Sequence, residues 1–242
     1  MTWDLNCDLG EGEPLATTRA LMRSISSANV ACGGHAGDVG SMELCVSLAK
    51  QFRVRLGAHP GIGSEFGRGP VEISPSLLEL LLLQQVSALQ KVASAQQVRL
   101  HHIKLHGSLY HAVESNSLLA RRYVAAVARW WPEARIFARS SGLVEQAARK
   151  RGTPLWREVF ADRAYNNNLT LVPRAQAGAV LDDLEMIVER VKVLAAQGVI
   201  STVQGKTVRL AGETLCLHSD TPGAARTVRS VAKALGLRRS DL

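Results

Sequence analysis

Short apolar runs alternate with longer amphipathic stretches along almost the whole chain, and no other feature narrows the choice of fold as much. A run of about four to eight apolar residues followed by a helix-length stretch reads as one β-α unit, and a series of such units builds a parallel sheet. Strands are predicted at Thr2–Cys7, Ala28–Cys32, Val54–Ala58, Leu100–Leu105, Arg135–Ala138, Trp156–Ala161, Ile200–Val203 and Thr214–Leu217. Helices are predicted between them at Ser41–Gln51, Ser76–Gln96, Ser117–Trp130, Leu143–Lys150, Leu181–Gln197 and Ala224–Leu235. Ser74-Pro75 supplies a start signal for the second helix, and Gly152 and Gly198 stand just past two others, where a left-handed residue stops a helix. No linker, composition break or internal repeat divides the 242 residues, so a single domain over residues 1–242 is expected. The order of elements fits a closed or nearly closed (β/α) barrel; an open doubly wound sheet is the alternative that strand counting leaves standing.

Several function classes are disfavoured by composition. No run of about 18 apolar residues exists to form a membrane-spanning helix. Met1 to Glu13 carries Asp4, Asp8 and Glu11 rather than a basic end and an apolar stretch, so no secretory signal is read there and a cytoplasmic protein is expected. Cys7, Cys32, Cys45 and Cys216 form no C-x-x-C pair and are expected as reduced, buried thiols. The net charge of +8 attracts polyanions without sequence preference. Its arginines are scattered over predicted helices without interleaved aromatic residues, so no specific nucleic-acid partner is expected.

Strand parity locates the chemistry. In the first strand Asp4, Asn6 and Asp8 share one face, while Leu5, Cys7 and Leu9 share the other, because side chains alternate with period two. The apolar set should face the surrounding helices, which turns Asn6 and Asp8 into the barrel mouth, ahead of a Gly10-Glu11-Gly12 loop. The same parity aims His102, Lys104 and His106 inward, and Cys216, His218 and Asp220 after them. Gly107 follows His106 directly and no Glu follows His102, so this pair is read on a strand rather than as the two histidines of a zinc-binding helix. Asn29 to Asp38 and Gly57 to Gly61 each run from a strand into glycines and one histidine, His35 and His59. Parallel α/β proteins place their chemistry at such strand ends.

These motifs resemble the LamB/YcsF family, described as the A subunit of 5-oxoprolinase. The resemblance rests on Asp4 through Gly12, Ser27 through Asp38, Gly57 through Gly61, Lys104 through Tyr110, Glu158 through Tyr165 and His218 through Ala224. It implies an α/β TIM-like barrel of the glycoside hydrolase/deacetylase type, with seven strands or an irregular closure. It also implies ATP-driven hydrolysis of a cyclic amide, 5-oxo-L-proline, to L-glutamate together with B and C partner subunits, with ATP and its Mg2+ as cofactors. Where the family commonly carries Gly-Phe-His this chain has Gly33-Gly34-His35, and Phe-Gly-Arg-Arg becomes Phe66-Gly67-Arg68-Gly69.

Opening a lactam with ATP requires cations for phosphate, a base for water and an acid for the leaving nitrogen. Candidates for acid, base and proton transfer are Asp8, Glu11, His59, His106 and His218. Candidates for holding substrate or phosphate are Asn6, Asn29, Lys104, Tyr110, Glu158, Asp162, Arg163 and Asp220, with a structural Asp162–Arg163 ion pair as the bland alternative. Asp8, His35 and His59 are candidate ligands of a site-bound divalent metal. No G-x-x-x-x-G-K-[ST] loop occurs, so ATP handling is expected to be shared with the partner subunits. Two other readings stand beside this one: a metal-dependent deacetylase or amidohydrolase that works without ATP, and a non-catalytic partner subunit. A homodimer is an expectation that no residue pattern carries.

Overall fold

The computed structural model describes residues 3–63, 71–221 and 223–237; the Phe66–Gly69 departure lies outside them. Seven parallel strands close into a barrel in the order β1 (Asp4–Leu9), β2 (Ser27–Ala31), β3 (Arg55–His59), β4 (Leu100–Ile103), β5 (Arg135–Arg139), β6 (Leu155–Phe160) and β9 (Thr214–Leu217), which pairs back onto β1. Around it lie α1 (Leu15–Met22), α2 (Val39–Phe52), α3 (Pro75–Ala95), α4 (Gly107–Ser115), α5 (Ser117–Trp130), α6 (Leu143–Arg151), α7 (Leu184–Gln197) and α8 (Ala224–Ala234).

One predicted barrel strand is corrected. Ile200–Val203 is not part of the barrel: Val199–Ser201 forms β7, which pairs antiparallel with β8 (Thr207–Arg209). Gly205, at φ +77°, turns the chain straight back, so the short apolar run finds its partner locally and never reaches the barrel seam. Two helices also form where none is predicted, α1 and α4, both short and both opened by a proline or glycine that reads as loop.

The helix-facing side of β1 and of β9 is apolar and fully covered. Leu5, Cys7 and Leu9 of β1, Ile103 of β4 and Leu215 and Leu217 of β9 join one continuous core with residues such as Leu82 and Val86 of α3 and Val228 and Val231 of α8. This layer drives folding, since removal of apolar surface from water is the dominant favourable term. Helix ends are set by side chains. Asp38 accepts from the Ser41 backbone N–H while Ser41 reciprocates at the Asp38 N–H, and Ser74 caps α3 with Pro75 in its first turn.

The barrel interior is polar on the side of β1 to β4 and β9, unlike the branched apolar layers that usually fill such a barrel, while Phe137 and Trp156 form an aromatic stack against His102 on the β5–β6 side. At the base Asp4 accepts from Ser27, Thr214 and Arg55. Above it Asn6 donates to Thr214 and accepts from Asn29, whose carbonyl oxygen lies 2.7 Å from His102 Nε2. The β3–β4 register shifts by one residue between Leu56/Leu100 and Gly57/His102, so His101 is the extra residue of a bulge. Gly57 makes room for the His102 ring, because a Cβ there would lie 2.0 Å from its Nε2.

Candidate active site

The layer above this network stands at the C-terminal ends of the strands. Asp8 (β1), His59 (β3), Lys104 and His106 (just after β4), Phe160 (β6) and His218 (just after β9) line one cavity of about 440 Å³. Asp8, Lys104, His106 and His218 stand where strand parity puts them and His59 at its glycine-flanked strand end, whereas Phe160 is not among the expected site residues.

Lys104 is the electrostatic centre. Its ammonium lies 2.8 Å from Asp8 Oδ1, 3.1 Å from Glu158 Oε1 and 3.2 Å from the Cys216 thiol, with 3% of the side chain exposed. Burial alone would discharge this lysine, but Asp8, Cys216 and Glu158 outweigh it and hold the ammonium well above its ordinary pKa. Burial likewise pushes the Asp8 carboxyl up, and His59 and Lys104 outweigh it, holding Asp8 well below the usual carboxylate range. Glu158 goes the other way: completely buried beside the Tyr110 ring, it is raised by burial and only partly compensated by Lys104. One ammonium thus has one firmly ionised carboxylate and one that tends toward the neutral acid.

Beside this pair four donor groups converge: Glu11, His35, His59 and His106, each offering one atom within 4.8 Å of the others. Glu11 Oε1 lies 2.8 Å from His35 Nε2, 3.3 Å from His106 Nδ1 and 3.8 Å from His59 Nε2. The loop that carries Glu11 is fixed by Glu13, whose carboxylate accepts from the backbone N–H of both Gly10 and Glu11. His59 Nδ1 donates to the Lys104 carbonyl at 2.8 Å, which turns its other nitrogen toward the cluster. Burial lowers the His59 pKa to about 4, so this imidazole is neutral with a lone pair at Nε2. The rings of His35 and His106 stack at 3.6 Å.

Two glycines make that stack. A Cβ on Gly61 would lie 2.3 Å from His35 Nδ1. A Cβ on Gly34 would meet the Gly61 carbonyl at 2.1 Å and the Gln85 amide at 2.4 Å. Gln85 of α3 brackets Gly61 with bonds to its N–H and carbonyl, and so occupies the space toward which a side chain at Gly34 would point. The departure from Gly-Phe-His at Gly34 thus has a physical counterpart in Gln85.

Of the three expected metal ligands, His35 and His59 belong to the converging group. Asp8 lies beside it, 3.4 Å from His59 Nε2, with its other oxygen taken by Lys104. A second grouping, Asp8, Cys216 and His218, surrounds the Lys104 ammonium, which already supplies the positive charge there.

The remaining predicted residues separate into three places. Asp162 does not pair with Arg163: its carboxylate accepts from the His218 backbone N–H and lies 2.9 Å from His218 Nδ1. Burial depresses the His218 pKa, and Asp162 reverses this to a net rise. Arg163 lines the cavity from the other side, and Asp220 stands on the rim, 2.7 Å from Arg174. Asn6 and Asn29 lie under the site, where Asn29 donates to Asp8 and so helps hold it. Glu13 and Gln85 were missed by sequence reading, since each lies outside the strand-end motifs. The E-x-E spacing of Glu11 and Glu13 is the signal that could have found the first of them.

A closed parallel barrel with carboxylates, imidazoles and a buried lysine gathered over its C-terminal end defines an α/β barrel protein with an enzyme-like polar centre. More narrowly, the chain belongs to the LamB/YcsF family, whose model matches residues 3–241. It is 39% identical over 240 residues to the 5-oxoprolinase A subunit of Pyrococcus abyssi, covering 97% of this chain and 94% of that one. It is 40% identical over 245 residues to the 5-oxoprolinase A subunit of Rhodopseudomonas palustris strain BisB18, covering 98% and 96%. The crystal structure of the lactam utilization protein from Thermus thermophilus superposes with a TM-score of 0.89 at 33% identity, covering 98% of this chain and 96% of that one.

Among the described residues no helix is long and apolar enough to cross a membrane.

Proposed function

We propose that this chain is the lactam-opening A subunit of an ATP-dependent 5-oxoprolinase, acting with B and C partner subunits to convert 5-oxo-L-proline to L-glutamate. The observation that carries the proposal is the juxtaposition, in one cavity, of the Asp8–Lys104 pair, the Asp162–His218 pair and the Glu11-His35-His59-His106 cluster. The names of the relatives supply the substrate, since a barrel with such a centre hosts many chemistries.

Opening the ring breaks the C–N bond of the lactam: a water oxygen bonds to the carbonyl carbon and a proton goes to the nitrogen. Asp8 is suited to take the water's proton, because the Lys104 ammonium at 2.8 Å keeps it ionised. His218 is suited to protonate the nitrogen. Asp162 holds its Nδ1 and raises its pKa, leaving Nε2 for an occupant of the cavity. ATP makes the resonance-stabilised amide reactive by transferring its terminal phosphoryl group to the carbonyl oxygen, with ADP as the leaving group. C–N cleavage after the first water adds then yields an acyl phosphate, which a second water cleaves to glutamate and inorganic phosphate. This sequence carries no G-x-x-x-x-G-K-[ST] phosphate loop, which is consistent with ATP handling shared with the partner subunits.

The Glu11-His35-His59-His106 group also fits a divalent metal. Its donors are three imidazole nitrogens and a carboxylate oxygen, the set borderline metals prefer, and His59 is oriented by a backbone carbonyl as ligating histidines commonly are. A metal bound there would supply Lewis acidity toward a carbonyl or phosphoryl oxygen.

The test is a coupled assay of glutamate and ADP release from 5-oxoproline, run on the chain with and without its partner subunits and with and without ATP. Both products in equal amounts, only with partners and ATP present, are expected. ATP-independent amide cleavage by the isolated chain would replace this reading with that of a metal-dependent amidohydrolase.

A further inference from the structure

The charges around the cavity do not balance. Among the described residues that line it, Asp8 is the single carboxylate, and Lys104 matches it at 2.8 Å. Arg174 is matched by Asp220 across the rim. Arg163 has no such match among the described residues: it is 4% exposed, Asp162 acts on it only through space, and no described carboxylate lies within 4.0 Å of its guanidinium. Its Nε and Nη2 donate to the carbonyls of Ala179 and Val172, which fixes the plane of the group, and its Nη1 makes no hydrogen bond to a described residue. A buried guanidinium that remains charged without a counter-ion is costly, and burial together with neighbouring Arg174 pulls its pKa down. The protein keeps it in place with two backbone bonds and walls the adjoining space with apolar groups, Phe160, Leu171 and Pro173.

We propose that Arg163 is the residue that reads the carboxylate of the substrate, so that the cavity selects a small, apolar ring bearing one carboxylate and rejects the neutral lactam. This inference rests on the lactam-opening reading for the identity of the ring, and on the cavity alone for the carboxylate. A single free N–H edge between apolar walls suits one carboxylate better than a polyphosphate, which needs several donors or a run of backbone N–H groups. The Arg174–Asp220 pair lies between the loop after β6 and the loop after β9, and it places a second cation over the same end of the cavity.

Equilibrium binding to the full chain tests this with three probes: 5-oxoproline, its neutral carboxamide and cyclopentanecarboxylate. A charge-assisted hydrogen bond predicts that 5-oxoproline binds about 10- to 100-fold more tightly than the carboxamide. Arg163→Gln should bring that ratio to within about threefold of unity, and Arg163→Lys should restore part of it. A merely structural Arg163 would weaken acid and amide alike and leave the ratio unchanged. The wild-type ratio needs no variant, so the proposal stays testable should Arg163→Gln misfold.

Equal affinity for acid and amide, absence of binding by all three probes, or displacement by inorganic phosphate but by no carboxylate would each overturn it. If the 5-oxoproline reading alone is wrong, cyclopentanecarboxylate still binds in an Arg163-dependent way. If only this inference is wrong, the assembled complex turns over 5-oxoproline with the same KM in Arg163→Gln.

Discussion

At the scale of single residues the site depends on which group compensates the charge of which other. Lys104 is buried among Asp8, Glu158 and Cys216, so replacing it with Met strands an ionised Asp8. Breaking a buried pair from one side commonly costs about 3–5 kcal/mol, which in a domain of this size lowers Tm by roughly 6–20 °C. Thermal unfolding of Lys104→Met checks this, and a loss of under about 1 kcal/mol would mean that Asp8 needs no partner. The Asp162–His218 pair gives a pH signature. His218 is raised above its ordinary value of 6.5, so its contribution to stability is complete below that pH and is lost as pH rises through the folded pKa. Asp162 is lowered below 3.8, so its contribution is present above that pH and is lost as pH falls through the folded pKa. The stability difference between wild type and His218→Gln is therefore expected to peak between about pH 4 and 6.5 and to shrink by pH 9; a flat profile from pH 5 to 9 would dissociate the two groups. Most of these residues were legible in the sequence, because period two sorted Asp8, Lys104 and His218 onto the inner face without any structure. Their pairing was not. Asp162 adjoins Arg163 in sequence, yet consecutive residues point apart at a strand end, and Asp162 finds His218 from 56 residues away.

At the scale of elements, strands supply positions and loops supply precision. The segment after β3 carries His59, Pro60 and Gly61, and Gln85 of α3 clamps it through both polar groups of Gly61. Gly61→Ala would push a methyl group to 2.3 Å from His35 Nδ1 and move that ring away from Glu11. Turnover of the assembled complex should fall at least about 10-fold, since a displacement of about 1 Å can cost 100-fold, while Tm shifts by only a few degrees. Unchanged turnover would remove His35 from the centre. The strands of the barrel were predicted to within a few residues, except that Ile200–Val203 belongs to a local hairpin. An apolar run of that length carries no information on whether its partner is a neighbour or a distant strand, and Gly205 decided the matter. The helices α1 and α4 leave no clear signal in the sequence, because eight or nine residues give too few turns to establish a 3.6-residue period.

At the scale of the whole molecule, a single apolar layer between barrel and helices supports a polar interior that runs from Asp4 at the base to Asp8 at the mouth. The net charge of +8 is expected to be incidental to function. Binding to DNA is expected to be equal for any sequence and to fall steeply with salt, as counterion release requires, and a marked preference for one sequence at physiological salt would overturn the enzymatic reading. The barrel was legible from the alternation of elements, and the polar centre from parity. The joining of Glu11 to three histidines was not, because the four lie on four separate segments that only closure of the barrel unites. On this reading the union is part of the reacting centre beside Asp8 and His218, and Glu11→Gln tests that most directly: the substitution is nearly isosteric, and Glu11 contacts His35 at 2.8 Å without supporting the Asp8–Lys104 pair. Glutamate release from 5-oxoproline by the complex reconstituted with this variant should fall by about 100-fold or more, with Tm within a few degrees of wild type. Release within about threefold of wild type, from a folded variant in an intact complex, would contradict the account.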